Sequence, residues 1–288
     1  MSQLNDLSGK SVPVAIGLEK PLKNPRDTGI DQQDEYQAGV RLMIQSLRES
    51  PQPVVLLAVG SVRDIVAAFH REPDLFRKKV RRIGAYIGEA SREDHVEYNV
   101  GLDPQAYIGL LRSGLPVYWL PCFDGGLWQN GGHASFWQAR HEDLLQGAPA
   151  ELIQFFIYAL EKETGDPRAF IRAPVDPARK KRLFAQTRNL WCTATFAVLV
   201  ERDLRLQDGH FRTVPRGPEA KLDPALPNAL FSFEEVDVTV TDTGVVRYER
   251  GPKSKKIRRF TLRNQADYAR GMTEATAQLL EGFPVKGR

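Results

Sequence analysis

Cysteine is scarce in this chain of 288 residues, which contains only Cys122 and Cys192. Two cysteines exclude a disulfide-stabilised scaffold and a cysteine-rich zinc module. Long apolar runs are also lacking, because no stretch approaches the roughly 18–20 residues that span a bilayer. Residues 1–10 are polar and carry no signal-peptide pattern. We therefore expect a cytoplasmic protein that has no membrane partner.

A strong excess of charge is lacking as well. The 40 Lys and Arg residues against 36 Asp and Glu residues give a net charge of +4, which is weak evidence for an anionic partner. The basic run at residues 253–259 contains no aromatic residue, and this is more typical of a solvated hairpin rim than of a nucleic-acid surface. We therefore expect no nucleic-acid partner.

Strand-like and helix-like segments alternate along the first part of the chain. Uninterrupted apolar character predicts strands at residues 11–17, 54–59, 80–87 and 115–120. Helical spacing of apolar residues predicts helices at residues 34–50, 62–70 and 104–113. This alternation predicts an α/β fold with a mostly parallel sheet flanked by helices. The last three of these strands are expected to be neighbouring central strands.

The second half of the sequence is more helical. Helices are expected at residues 151–163 and 179–204, and a closing amphipathic helix at residues 265–281. Residues 231–250 alternate around Thr243 and Gly244, which predicts a β-hairpin.

Ligands of parallel sheets bind outside the carboxyl ends of the strands. That rule points to the loops at residues 60–63, 88–99 and 121–133. The second loop is rich in acidic and amide residues, which suit a polyol or a hard cation, although a solvated loop with Asp103 capping the next helix is also consistent. The third loop leads into an aromatic stretch with Trp128, Phe136 and Trp137, which predicts either stacking on a planar ring or a small hydrophobic patch.

Three blocks of the sequence resemble the inosine/uridine-preferring nucleoside hydrolases: residues 54–69, 97–117 and 11–22. In the second block, E-Y-N-V-G-L-D-P followed by S-G-L-P is similar to a loop of that family that ends in E-F-N, followed by D-P-E-A, a helix and S-G-L-P. The resemblance covers most of the chain. It implies a single nucleoside hydrolase-like domain over residues 1–288 that lacks the first strands of the family.

The resemblance also implies chemistry. Members of the family hydrolyse the N-glycosidic bond of ribonucleosides, with a calcium ion that binds the attacking water and two ribose hydroxyls. By this resemblance Glu97 and Asn99 hold the ribose hydroxyls, Ser91 and Trp191 line the substrate site, and the backbone carbonyl of Val59 is a calcium ligand. The implied partner is a small nucleoside of purine or pyrimidine metabolism, and the family is commonly dimeric or tetrameric.

The sequence departs from the family at two places. The aspartate-rich D-x-D-x-x-x-D-D motif, which supplies calcium ligands and the general base, has no counterpart here, and residues 27–35 do not replace it. Trp191 and Cys192 stand where the family has a His-Asp pair, and a neutral thiol is a poor ligand for calcium. Calcium is therefore doubtful. Three readings stay open: a ribonucleoside hydrolase, a non-catalytic ribose- or nucleoside-binding protein, and an inactive truncated family member.

Overall fold

The computed structural model describes residues 2–191, 193–250 and 257–286. The strands within these residues are β1 Val54–Ala58, β2 Val80–Tyr86, β3 Val117–Leu120, β4 Trp137–Arg140, β5 Thr187–Leu190, β6 Arg202–Gln207, β7 His210–Pro215, β8 Phe231–Val240, β9 Val246–Arg250 and β10 Ile257–Leu262. The helices are α1 Ser2–Ser8, α2 Ala38–Glu49, α3 Arg63–Arg71, α4 Pro73–Lys79, α5 Tyr98–Leu102, α6 Pro104–Arg112, α7 His141–Leu145, α8 Ala150–Leu160, α9 Pro167–Arg172, α10 Pro177–Phe184, α11 Thr193–Leu199, α12 Pro218–Leu222 and α13 Gln265–Glu281.

A six-stranded sheet with the order β1-β2-β3-β10-β8-β9 organises the fold. Strands β1, β2, β3 and β10 pair in parallel, and β8 and β9 continue the sheet in antiparallel fashion. Helices α2, α3 and α6 contribute to one apolar core, and α7, α8 and α13 contribute to the other. The α/β prediction and the parallel pairing of β1, β2 and β3 are therefore confirmed. None of the helices in the described ranges combines the length and apolar character needed to cross a bilayer.

The prediction of a strand at residues 11–17 is wrong, and the strand predicted at residues 54–59 does not lie in the centre of the sheet. Residues 11–17 form no strand; Val14 and Ile16 are each 64% exposed. This segment bonds to a helix start instead of a neighbouring strand, because the Ile16 carbonyl accepts a hydrogen bond from Gly39 N at 2.7 Å. Strand β1 lies at the edge of the sheet rather than in its centre, and four of its five residues are only partly buried.

The helices predicted in the first half are confirmed, with Asp103 as the N-cap of α6. The prediction of one helix over residues 179–204 is wrong. Helix α10 ends at Phe184, β5 pairs antiparallel with β4, and α11 and the start of β6 follow. Pairing with β4 requires contacts that are distant along the chain, so a local helical pattern does not reveal it.

The C-terminal hairpin and closing helix are confirmed. Strands β8 and β9 pair around a turn in which Gly244 has a φ of +89°, and α13 has the predicted bounds. Of the basic run, residues 253–256 lie outside the described residues. The expectation of a solvated rim is wrong for Arg259, which is 1% exposed in β10 and lies 4.2 Å from the ring centroid of Tyr248.

Candidate active site

The loops that follow β2 and β3 are joined beyond the ends of these strands. Glu89 and Phe123 form a parallel bridge, in which Ala90 N donates to the Phe123 carbonyl at 3.2 Å. Cys122 N donates to the Gly88 carbonyl at 2.9 Å. The polar loop and the aromatic loop are therefore held side by side at the carboxyl edge of the sheet, where ligands bind in open α/β sheets.

Glu97 caps the short helix α5 and is buried, with 4% of its surface exposed. Its Oε1 accepts hydrogen bonds from Asn99 N at 3.0 Å and Asn99 Nδ2 at 3.1 Å. Its Oε2 accepts from Gly88 N at 3.0 Å and Val100 N at 3.4 Å. A carboxylate offers about four lone-pair directions. All of them are directed to protein N–H groups, so Glu97 fixes the geometry of this loop.

Asn99 lies beside the carboxyl end of β1, in agreement with the position expected from the sequence. Its Oδ1 is 4.0 Å from the point that a Cβ on Gly60 would occupy. The start of a helix brings Glu97 and Asn99 together, because Glu97 is the N-cap of α5 and Asn99 lies in its first turn. That these residues bind ribose hydroxyls stays a prediction.

Ser91 contacts Glu89, a residue that sequence reasoning did not single out from the other acidic residues of this loop. Oε1 of Glu89 accepts hydrogen bonds from Ser91 N at 2.5 Å and from Ser91 Oγ. Its Oε2 is buried and has no hydrogen-bond partner among the described residues. Across the site, Gly126 N donates to Ser91 Oγ at 3.3 Å. Ser91 therefore links the polar loop to the aromatic loop.

Four aromatic rings cluster over the loop that follows β3. Phe123, Trp128, Phe136 and Trp191 contact one another with ring centroids 5.3–6.2 Å apart. Trp191 Nε1 donates to the Cys122 carbonyl at 3.1 Å. Trp128 has a φ of +58° and is 58% exposed, so one aromatic surface faces solvent. Both predicted readings, a hydrophobic patch and a stacking surface, are compatible with this cluster. Trp137 is separate from it, because it is the first residue of β4 and its side chain packs in the second apolar core.

Asp124 ties the aromatic loop to the C-terminal hairpin. It is 5% exposed and its Oδ2 accepts hydrogen bonds from His133 N and from the Tyr248 hydroxyl, each at 2.8 Å. Burial, and next the Asp124 charge, raise the pKa of Tyr248 to about 12. The phenol therefore stays protonated and donates at neutral pH.

The described donor set does not fit a calcium ion, which takes roughly six to eight oxygen ligands. No group of three or more His, Cys, Asp and Glu side chains within the described ranges can hold a metal. Val59 is exposed at the end of β1 and offers one carbonyl, while Glu97 is already engaged. Asp31 and Asp34 pair with Lys23 and Arg41 on the surface. Cys192 lies outside the described residues.

Comparison with known proteins shows the family. Residues 1–251 match the family model for the inosine-uridine preferring nucleoside hydrolases, so the chain belongs to this family. It is 30% identical over 135 residues to the pyrimidine-specific ribonucleoside hydrolase RihA of Enterobacter sp. (strain 638). It is also 30% identical over 137 residues to the enzyme of the same name from Citrobacter koseri. Each match covers 41% of this chain and 43% of the relative, so it spans less than half of either protein.

A solved structure of a plant nucleoside hydrolase has the same fold. It superposes with a TM-score of 0.51 at 15% identity, and the match covers 96% of this chain and 81% of the plant chain. At that identity the likeness shows the fold alone. It agrees with the mostly parallel sheet flanked by helices that is described above.

Proposed function

We propose that this chain hydrolyses the N-glycosidic bond of a ribonucleoside or a related ribosyl compound. The observation that carries the proposal is the position of Asn99, which Glu97 holds beside Gly60 at the carboxyl edge of the parallel sheet. This arrangement is built from the E-Y-N segment, the part of the sequence most similar to the family motif. Membership of the family supports the same activity.

The wall of the proposed site consists of Glu97, Asn99, Ser91 and Trp191. Asn99 offers an amide to the ribosyl hydroxyls, and Glu97 orients that amide through a hydrogen bond to Nδ2. Trp191 and its neighbour Trp128 provide aromatic surface on which a planar base can stack. Binding at several points along the substrate positions C1′ for attack by water, and positioning is a recognised source of rate enhancement.

The setting of this activity belongs to the proposal too. We infer one domain over residues 1–288, which acts on a free nucleoside in the cytoplasm as part of purine or pyrimidine metabolism and assembles as a homo-oligomer, as is common in the family. Because the possible metal ligands among the described residues do not fit calcium, we assign no step of the reaction to a metal. We expect slow turnover, because the motif that supplies the general base in the family has no counterpart in this sequence, and general base catalysis alone typically contributes about 10²–10⁴-fold.

A ribosyl-binding protein without turnover is the second candidate. The observation that favours it is which functional groups the site offers. The described residues include an amide and aromatic rings that suit binding, but no cluster of carboxylates that would hold a metal. The two candidates share the same binding wall. They differ in whether ribose is released.

The test measures reducing sugar released from inosine and uridine by purified protein, together with binding of both nucleosides by calorimetry. Asn99→Ala is compared with Gln52→Ala, a control at an exposed loop position before β1. Ribose release that falls at least about tenfold in Asn99→Ala alone, the loss of one or more good hydrogen bonds, supports hydrolysis. Binding without release supports the second candidate. Neither binding nor release contradicts both.

A further inference from the structure

Glu89 is a buried carboxylate of this site that has hydrogen-bonding capacity left among the described residues. It is 5% exposed, one oxygen accepts from Ser91, and the other has no partner among the described residues. Leaving a buried carboxylate oxygen without a donor is unfavourable, because the group loses its hydration without replacement. Such a group at the ligand-binding edge of a parallel sheet points to a donor that arrives with a ligand.

Glu97 is in the opposite situation. Four protein N–H groups occupy its two oxygens, and three of them belong to the backbone of Gly88, Asn99 and Val100. A ribose hydroxyl can bind Glu97 only by displacing one of these donors. Gly88 precedes Glu89 directly, so the contact between Gly88 N and Glu97 sets the backbone from which the Glu89 side chain extends.

The hydroxyl of Ser91 shows which kind of donor suits Glu89. Ser91 Oγ donates to Glu89 Oε1, and Gly126 N donates to the same hydroxyl at 3.3 Å. A carboxylate beside a hydroxyl that bridges two loops is a site that accepts O–H groups. A hydroxyl of a ribosyl 2′,3′-diol matches the one Glu89 oxygen, Oε2, that has no donor among the described residues.

We propose that Glu89 is the carboxylate that binds the ribosyl diol in this protein, while Glu97 is a positioning residue that holds Asn99 and the loop. This inference rests on the proposed function, because it takes the ligand to be a ribosyl compound. The aromatic cluster around Phe123, the bridge partner of Glu89, places the base of that ligand next to the diol site.

The experiment compares Glu89→Gln, Glu97→Gln and the control Glu93→Gln, a change at an exposed position of the same loop. The probes are D-ribose, uridine and 2′-deoxyuridine, and binding is measured by calorimetry. We expect Glu89→Gln to weaken binding of ribose and uridine about tenfold or more, as for a lost hydrogen bond to a charged group. The preference of the protein for uridine over 2′-deoxyuridine should disappear in this variant and persist in Glu93→Gln.

Thermal unfolding of the ligand-free variants separates binding from structural roles. Glu89→Gln should leave the Tm unchanged or raise it, because it removes an incompletely paired buried charge, whereas Glu97→Gln should lower it. A Glu89→Gln protein that binds uridine as tightly as the unaltered protein, with the same preference for the 2′-hydroxyl, overturns the inference and leaves the proposed function standing. Failure of the unaltered protein to bind ribose or uridine overturns both.

Discussion

Arg63 and Asp103 form an ion pair in which the Asp103 side chain is fully buried and the Arg63 side chain is 13% exposed, with Arg63 Nε donating to Asp103 Oδ2 at 2.9 Å. The Asp103 carboxylate also accepts hydrogen bonds from Ala106 N and Leu22 N, each at 2.9 Å, and the first of these bonds caps α6. The Arg63 guanidinium also donates to the carbonyls of Leu18, Glu19 and Leu102. This pair therefore joins residues 18–22 to the starts of α3 and α6, behind the loop that carries Asn99.

Asp103→Ala should lower the free energy of unfolding by about 3 kcal/mol, because it leaves the largely buried Arg63 charge without its partner. Loss of the cap on α6 adds to the effect. Urea unfolding measures the change. The matched control is Asp94→Ala, which breaks the exposed pair with Arg92 and should cost no more than about 1 kcal/mol. Similar losses of unfolding free energy in both variants would contradict the structural role given to the Arg63–Asp103 pair.

Gly88→Ala should destabilise the protein and disturb the site. Gly88 has a φ of +102°, and an added Cβ would lie 2.3 Å from the Tyr107 hydroxyl oxygen. Strain from the left-handed backbone alone costs roughly 1–2 kcal/mol, and the contact with Tyr107 adds to it. Gly101→Ala is the control, because nothing lies within 4 Å of its added Cβ. Differential scanning calorimetry should show a lower Tm for the first variant alone.

Trp128→Ala should weaken binding of the base and spare binding of the sugar. The exposed ring of Trp128 caps the aromatic cluster, and stacking of a base on an aromatic side chain is worth roughly 1–3 kcal/mol. Calorimetry should therefore show weaker inosine binding and unchanged ribose binding. An equal loss of affinity for inosine and for ribose would mean that the Trp128 ring supports the loop and does not contact the base.

Stability should fall as the pH drops below about 6.5, the ordinary pKa of histidine. Burial lowers the pKa of His141, whose Nδ1 lies 3.1 Å from the Leu183 carbonyl, and burial also lowers the pKa of His70. The unfolded chain then binds protons at a higher pH than the folded protein, so acidification favours unfolding.

Urea unfolding at several pH values between about 5 and 8 checks this dependence. His141→Gln should flatten the decline, with the part due to His70 remaining. Gln52→Ala, a change at an exposed position without a titratable group, should leave it as it is. A pH profile that is the same in all three proteins would rule out the contribution of His141.

Calcium and EDTA should leave the Tm unchanged. A ligand that binds the folded state raises stability by mass action, and the described residues contain no cluster of carboxylates and histidines to bind calcium in this way. Thermal unfolding with added calcium, added magnesium or EDTA is the measurement. A saturable rise of the Tm with calcium alone would show that the protein completes a calcium site.

Several features could be predicted from the sequence because their signals are local. Apolar runs bounded by turn residues predicted β2 and β3, and helical spacing of apolar residues predicted α13. Asp103 followed by Pro104 marked the start of α6 for the same reason. The rule for parallel sheets directed attention to the loop at residues 88–99, and Asn99 lies in that loop beside Gly60.

Other features depend on partners that are distant along the chain, and only the tertiary structure decided them. Residues 11–17 have the composition of a strand, but their backbone bonds to the start of α2. Glu97 and Glu89 are the same residue type in the same loop, and no local pattern predicts which hydrogen-bond donors each of them meets. Folding gives Glu97 four N–H donors and leaves one oxygen of Glu89 without one. The capacity of a carboxylate to bind a ligand depends on which donors surround it, and these are set by the packing of separate loops.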